Sequence, residues 1–181
     1  YHFDSPLIPS AVKIQRENLK EFERQHFDDY SVFELIDNRT QFCDDLLKQL
    51  WQQFELDKAH LTLIAVGGYG RREMFPLSDL DVLVLSKEEK EPETEEKITQ
   101  FVQFLWDCGF DVGHSVRSLE ECEKEGKQDI TIATNLLESR YLSGDVSFFN
   151  ALEEILKKPD FWAVKPFFDA KVQEQIERYQ R

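Results

Sequence analysis

Apolar positions recur along this chain with two different periods, and the changes of period mark its elements. Val12, Leu19 and Phe22 share one face of a segment that Ser10 can cap, which predicts a helix to about residue 26. Ser31-x-x-Glu34 is a capping box. Behind it Leu35, Cys43, Leu46, Leu47, Leu50, Trp51 and Phe54 return at helical spacing to about residue 55, a stripe that reads as core packing. Residues 61–66 form a short apolar run closed by Gly67-Gly68, and 80–85 a second one, so both predict buried strands. The charged, proline-containing stretch 86–96 predicts a surface loop. Ile98, Phe101, Val102, Leu105 and Trp106 then give the clearest helical series, and Gly109 ends it. Residues 110–116 predict a third strand, and Ser118-x-x-Glu121 caps a short helix to about residue 125. Residues 130–142 read as one helix broken by Gly144, followed by helices over 146–156 and 161–179.

The expected fold class is α/β (α+β): a small, twisted, mixed sheet with helices on one side, flanked by N- and C-terminal helical segments. The strand ending in Gly67-Gly68 and the strand opened by Asp79-Leu80-Asp81 are expected to be neighbours, with their site ends together. The expected organisation is a helical segment over 1–58, a core over 59–145 and C-terminal helices over 146–181. The chain has no initiator Met, and its polar helical pattern runs uncapped to Arg181, so a longer polypeptide is expected.

Composition narrows the function. The 181 residues are 41% hydrophobic with 15 Phe and 3 Trp, ample for a core. The net charge of −14, from 36 acidic against 22 basic residues, disfavours long nucleic-acid partners, which bind through Lys and Arg. No apolar run is long enough to span a membrane and no signal peptide is visible, so a cytoplasmic protein with protein or small-molecule partners is expected. Cys43, Cys108 and Cys122 lack zinc-ligand spacing and read as reduced core thiols. The four His are scattered, without a metal-hydrolase motif.

The chemistry gathers in residues 63–85. A strand ending in Gly67-Gly68 turns sharply and lets a ligand approach its amides, which with a following short helix suits the phosphates of a nucleotide. Arg71 and Arg72 are candidates for charge-assisted bonds to a triphosphate. Asp79 and Asp81, two apart on a strand, point to the same face. Their mutual repulsion is relieved by a bound Mg²⁺, and two such ions can clamp the attacking and leaving oxygens of a phosphoryl displacement. Each piece alone is common; the combination of buried strand, Gly-Gly, a ten-residue connection and Asp-x-Asp on a second strand is not.

This combination resembles the signature of the DNA polymerase β-like nucleotidyltransferase superfamily. Within it, residues 67–81 (GGYGRREMFPLSDLD), Leu105-Trp106-Asp107, residues 112–117 (VGHSVR) and residues 133–140 (ATNLLESR) resemble the bifunctional protein-PII uridylyltransferase/uridylyl-removing family. The similarity covers essentially the whole chain. It implies the polymerase β-like fold and transfer of UMP from UTP to a tyrosine hydroxyl of the PII nitrogen-regulatory protein, releasing pyrophosphate. It implies Mg²⁺ or Mn²⁺ on Asp79 and Asp81, and a triphosphate on Gly67 and Gly68 with Ser78 nearby. The family enzymes are much longer, and their uridylyl-removing and glutamine-sensing domains lie downstream, so those activities are not expected in these residues.

The superfamily often carries a third carboxylate. Asp111, opening the third strand, and Asp129, entering the next helix and equally suited to cap it, are rival candidates. Glu73 divides between orienting Arg71 or Arg72 and lying on the surface. His114, Arg117 and Arg140 are candidates for nucleotide contact, or for packing and ion pairs with these acids. Two other readings stay open: transfer to another acceptor, such as a small molecule or glutamine synthetase, and a non-catalytic nucleotide-binding module.

Overall fold

The computed structural model describes residues 1–87 and 89–161, together with 173, 175–178 and 180. The elements run α1 (Pro9–Gln25), α2 (Val32–Gln53), β1 (Thr62–Ala65), α3 (Gly67–Gly70), β2 (Leu80–Leu85), α4 (Pro92–Asp107), β3 (Val112–Arg117), α5 (Leu119–Gln128), α6 (Ile130–Leu137), β4 (Arg140–Gly144) and α7 (Val146–Leu156). The expected helix over 161–179 falls mostly outside the described residues.

Local chemistry sets most boundaries. The Ser31 hydroxyl accepts from Glu34 N while the Glu34 carboxylate accepts from Ser31 N, so α2 opens on a complete capping box. Ser118 accepts from Glu121 N at the start of α5. Two helices start on proline instead of where expected. Pro9 opens α1, with Ser10 inside the helix, and Pro92 opens α4, which shortens the charged loop. A first-turn proline loses no hydrogen bond and is preset for helical φ. On α4 the inward aromatics are Phe101, edge-on to Trp51, and Phe104, edge-on to Phe54, whereas Trp106 is 44% exposed.

The fold class stands, as a four-stranded mixed sheet ordered β3-β2-β1-β4. β1 is antiparallel to β2 and β4, and β2 is parallel to β3. Two details differ from expectation. First, helices cover both faces. Leu63, Ala65, Val82 and Val84 pack with α1, α2 and α4, while Ile64, Leu83 and Leu85 pack with Cys122, Ala133, Leu136 and Leu152 of α5, α6 and α7. All of β1, and β2 apart from Asp81, is buried, and strands apolar at successive positions need cover on both sides. Second, residues 130–142 are not one helix. α6 ends at Leu137, and Arg140–Gly144 is a fourth strand against β1. Gly144 acts as a crossing point: its φ is +96°, and a Cβ there would stand 2.2 Å from Leu61 O. Cys43, Cys108 and Cys122 are buried free thiols, and burial pushes each pKa up to about 12. Among the described residues no helix is long and apolar enough to cross a membrane.

One buried ion pair joins three elements. Asp44, 3% exposed in the middle of α2, accepts from Arg140 Nη1 at 2.7 Å and Nη2 at 3.1 Å. Arg140 opens β4, and it also donates to the Tyr69 carbonyl at 2.9 Å and the Gly70 carbonyl at 3.3 Å, at the end of α3. Removing Asp44 leaves the partly buried Arg140 guanidinium without its acid. Asp44→Ala is therefore expected to cost about 3–5 kcal/mol in urea denaturation. The joint replacement Asp44→Leu with Arg140→Met is expected to recover part of that loss; a double variant less stable than the single one contradicts this account.

Candidate active site

The turn after β1 is shaped by three glycines with separate tasks. Val66 N bonds Asp81 O at 3.1 Å, tying the end of β1 to the start of β2. Gly67 then takes φ +61°, which side-chain-bearing residues rarely adopt. Gly70 lies so close to the end of α6 that a Cβ would stand 2.1 Å from Glu138 O. At Gly68 a Cβ would meet only ordinary contacts, the nearest at 3.5 Å, so internal packing does not demand glycine there. The Gly67 and Gly68 amides, in the first turn of α3, have no intrahelical carbonyl to bond.

Asp81 faces the α6 side of the sheet, since β2 alternates and Leu80, Val82 and Val84 point into the opposite core. Its carboxylate fits a slot between two glycines. A Cβ on Gly113, its neighbour on β3, would stand 2.3 Å from Oδ1, and one on Gly67 would stand 3.2 Å from Oδ2. Among the described residues no hydrogen bond or ion pair reaches this carboxylate. Burial, and then the charge of exposed Asp79, raise its pKa above the ordinary 3.8. Two repelling carboxylates, one half-buried and unpartnered, are a donor set that suits a hard divalent cation. Among the described residues no three His, Cys, Asp or Glu gather closely enough to hold a metal by themselves. A cation on Asp79 and Asp81 would therefore complete its shell with water and phosphate oxygens.

The remaining candidates separate clearly. Asp111 is exposed, and its carbonyl accepts from Leu80 N at 2.8 Å, so the β2–β3 register sets it beside Asp79. Asp129 caps α6, accepting from Thr131 N at 2.8 Å and Ile132 N at 3.4 Å. Ser78 Oγ accepts from Phe75 N at 3.0 Å and closes the turn that delivers the chain to Asp79. Arg71 is held by Glu73 at 3.0 Å and Glu138 at 2.5 Å, which gives Glu73 its partner. Arg72, at φ +61°, turns to Asp37 at 3.0 Å and Asp44 at 3.6 Å. Arg117 pairs with Glu125 and Arg140 with Asp44; neither pairs with Asp111 or Asp129. His114 alternates away from Asp81 and lies beside Ile98 and Val102.

Three residues of the site carried no assigned role in the sequence reading: Gly113, Asn135 and Asp44. Each had a signal. Gly113 interrupts a strand, which marks a close approach. Asn135 is a carboxamide followed directly by Leu136 and Leu137 in a mostly apolar helix, and Asp44 is an acid inside the α2 stripe.

Because the folded pKa of Asp81 lies above its ordinary value, the native state favours the protonated carboxyl, and stability falls as pH rises through that folded pKa. Asp81→Asn removes this penalty. It is expected to raise the melting midpoint of the metal-free protein at pH 7 and to leave it nearly unchanged below about pH 4. An equal shift at both pH values contradicts the assignment. Gly113→Ala pushes a methyl group onto the same carboxylate and is expected to abolish any Mn²⁺-induced rise in that midpoint.

The family described as "Putative nucleotidyltransferase DUF294" matches residues 18–118. Bifunctional uridylyltransferase/uridylyl-removing enzymes are similar along almost the whole chain. That of Haemophilus influenzae (strain 86-028NP) is 68% identical over 98% of this chain, that of Pasteurella multocida (strain Pm70) 62% over 98%, and that of Vibrio cholerae (El Tor Inaba N16961) 42% over 99%. The chain spans 21% of the length of each of these relatives. Among solved structures, a tri-AMPylated Shewanella oneidensis HEPN toxin in complex with MNT antitoxin aligns over 78% of this chain and 99% of that one, at 15% identity and a TM-score of 0.39. A glycine turn beside paired aspartates, and a family match across the strands that carry both, lead to one conclusion: the chain belongs to the DUF294 nucleotidyltransferase family.

Proposed function

We propose that this chain carries out metal-dependent uridylyl transfer: UMP passes from UTP to a tyrosine hydroxyl of the PII nitrogen-regulatory protein, and pyrophosphate leaves. The observation that carries this reading is the Asp81 carboxylate, seated between Gly67 and Gly113 beside Asp79 and, among the described residues, without a hydrogen-bond or ion-pair partner. The 68% identity to a uridylyltransferase/uridylyl-removing enzyme supports the choice of uridylyl group and acceptor.

Each residue has a task in this reading. The Gly67 and Gly68 amides receive the terminal phosphates, where bare glycine backbone allows close approach. Asp79 and Asp81 hold Mg²⁺ or Mn²⁺. When bound, the ion supplies charge stabilisation at the reacting phosphoryl group. Ser78 fixes the turn that presents Asp79. Arg71 and Arg72 stand at the edge of the glycine turn, where their ion pairs with acids must loosen before either contacts phosphate. Asp111, level with Asp79, is the better placed candidate for a third carboxylate, because Asp129 is engaged in capping. The organisation that fits is a nucleotidyltransferase core over 59–145 between helical segments, in a cytoplasmic protein with neither nucleic acid nor membrane as partner.

The test is direct. The protein is incubated with Mg²⁺, trimeric PII and labelled UTP or ATP, beside the Asp79→Asn/Asp81→Asn double variant. Label passing to PII from UTP, and lost in the variant, is the expected outcome. Label passing from ATP, or only to an acceptor other than PII, overturns the assigned substrate pair. Nucleotide binding without any transfer overturns the catalytic role of this chain.

A further inference from the structure

Next to Asp81 the sheet and α6 enclose a cavity of about 230 Å³. Val66, Leu83, Ile132 and Leu136 give it an apolar floor, while Ser115 and Asn135 supply uncharged polar groups. The pleat explains why the cavity exists. Gly113 and Ser115 are the β3 residues on the Asp81 face, and both are small. Asn135 stands at the mouth of the cavity. Its Oδ1 lies 3.6 Å from where a Cβ on Gly67 would be, so the carboxamide and the Asp81 carboxylate flank the same bare glycine. Among the described residues the Asn135 side chain has no hydrogen-bond partner. Of the other polar residues along the cavity, Arg117 bonds Glu125 and Ser115, and His114 alternates to the opposite face of the sheet.

We propose that this cavity takes the nucleoside half of the substrate, with Asn135 bonding to its sugar; the proposal rests on the function proposed above and extends it. Phosphates on the Gly67 and Gly68 amides put the reacting phosphoryl group beside Asp79 and Asp81. The nucleoside must then lie against a flank of the Asp81 slot, and this cavity opens there. Its size suits a pyrimidine ring, and its floor offers an apolar surface for a ring face. A carboxamide presents both a donor and an acceptor, whichever way it is turned, and a sugar hydroxyl is the same kind of mixed partner. A phosphate, which only accepts, would use half of Asn135.

Equilibrium binding in the presence of Mn²⁺ tests this without requiring turnover. Inorganic tripolyphosphate, UTP, 2′-deoxy-UTP and 3′-deoxy-UTP are titrated into the wild-type protein, Asn135→Ala and Ile132→Phe, with a melting curve for each variant. UTP should bind the wild type more tightly than tripolyphosphate does. Asn135→Ala should weaken UTP about tenfold, the effect of one or two lost hydrogen bonds. It should leave tripolyphosphate unchanged, and at least one deoxy analogue should be insensitive to the substitution. Ile132→Phe, which fills the floor, should weaken all three nucleotides but not tripolyphosphate. Equal weakening of UTP and tripolyphosphate by Asn135→Ala overturns the proposal, as does UTP affinity that neither variant changes. If neither ligand binds the wild type, the proposal falls together with the function it rests on. Tight tripolyphosphate binding with no added affinity for UTP overturns the nucleoside pocket alone.

Discussion

The buried pair Asp44–Arg140 is the constraint on which the site geometry hangs. Arginine offers five donors in a rigid planar fork, and four hydrogen bonds from this side chain are directed inward: two to Asp44, and one each to the carbonyls of Tyr69 and Gly70. The same side chain therefore satisfies the acid on α2, opens β4 and seals the end of the glycine turn. Lysine could not do this, because an ammonium group is a compact point charge with three donors. Desolvating both charges is expensive, so the pair is better understood as fixing one arrangement than as adding net stability. What it fixes is the position of α3 against β1, and with it the direction of the Gly67 and Gly68 amides.

Strand topology brings the rest to the same place. β1 is antiparallel to β2 and β4, and β2 is parallel to β3. The last residue of β1 and the first residues of β2, β3 and β4 therefore meet at one edge. The glycine turn, Asp79 and Asp81, Asp111 and Gly113, and Arg140 arrive there from widely separated parts of the sequence. The two faces divide the work. On one, α1, α2 and α4 form a continuous aromatic and aliphatic core with Trp51 edge-on to Phe101, which holds the strands rigid. On the other, α5, α6 and α7 cover the strands as far as Val66, and α6 leaves a cavity between itself and the sheet beside Asp81.

Much of this was legible in the sequence because it is local. Capping boxes, the apolar runs of β1 and β2, and the Gly-Gly and Asp-x-Asp spacing each depend on residues a few positions apart. What escaped the reading is non-local. The apolar positions of 130–137 run on to Leu142 without a breaker before Gly144, yet Arg140–Gly144 becomes a strand, pairing with the edge of β1 while Arg140 bonds Asp44. Gly144 looks like a helix breaker in the sequence, yet its task is to pass 2.2 Å from a carbonyl on the other strand. The cover on both faces of the sheet is itself local information. A strand with no polar alternation, such as Thr62–Ala65, announces cover on both faces. The Asp81–Gly113 fit depends on strand register, which no local pattern carries.

The charge distribution around the slot bears on how a substrate would enter. The chain carries a net charge of −14, and the arginines nearest the glycine turn are already matched: Arg71 with Glu73 and Glu138, Arg72 with Asp37, Arg140 with Asp44. A bare triphosphate approaching Asp79 and Asp81 would meet two carboxylates with, among the described residues, no unmatched arginine beside the glycine turn. Backbone amides can orient such a ligand, but they do not neutralise four negative charges. On the proposed reading the nucleotide therefore has to arrive with its divalent cation, or find one already on the aspartates. The raised pKa of Asp81 points the same way, since a carboxylate disfavoured in its charged form gains most when a cation takes the place of its proton. A site with a free arginine at the slot would bind nucleotide in the absence of metal. On the proposed reading nucleotide and cation would bind this site together, so that metal occupancy would be a condition of substrate binding as well as of chemistry.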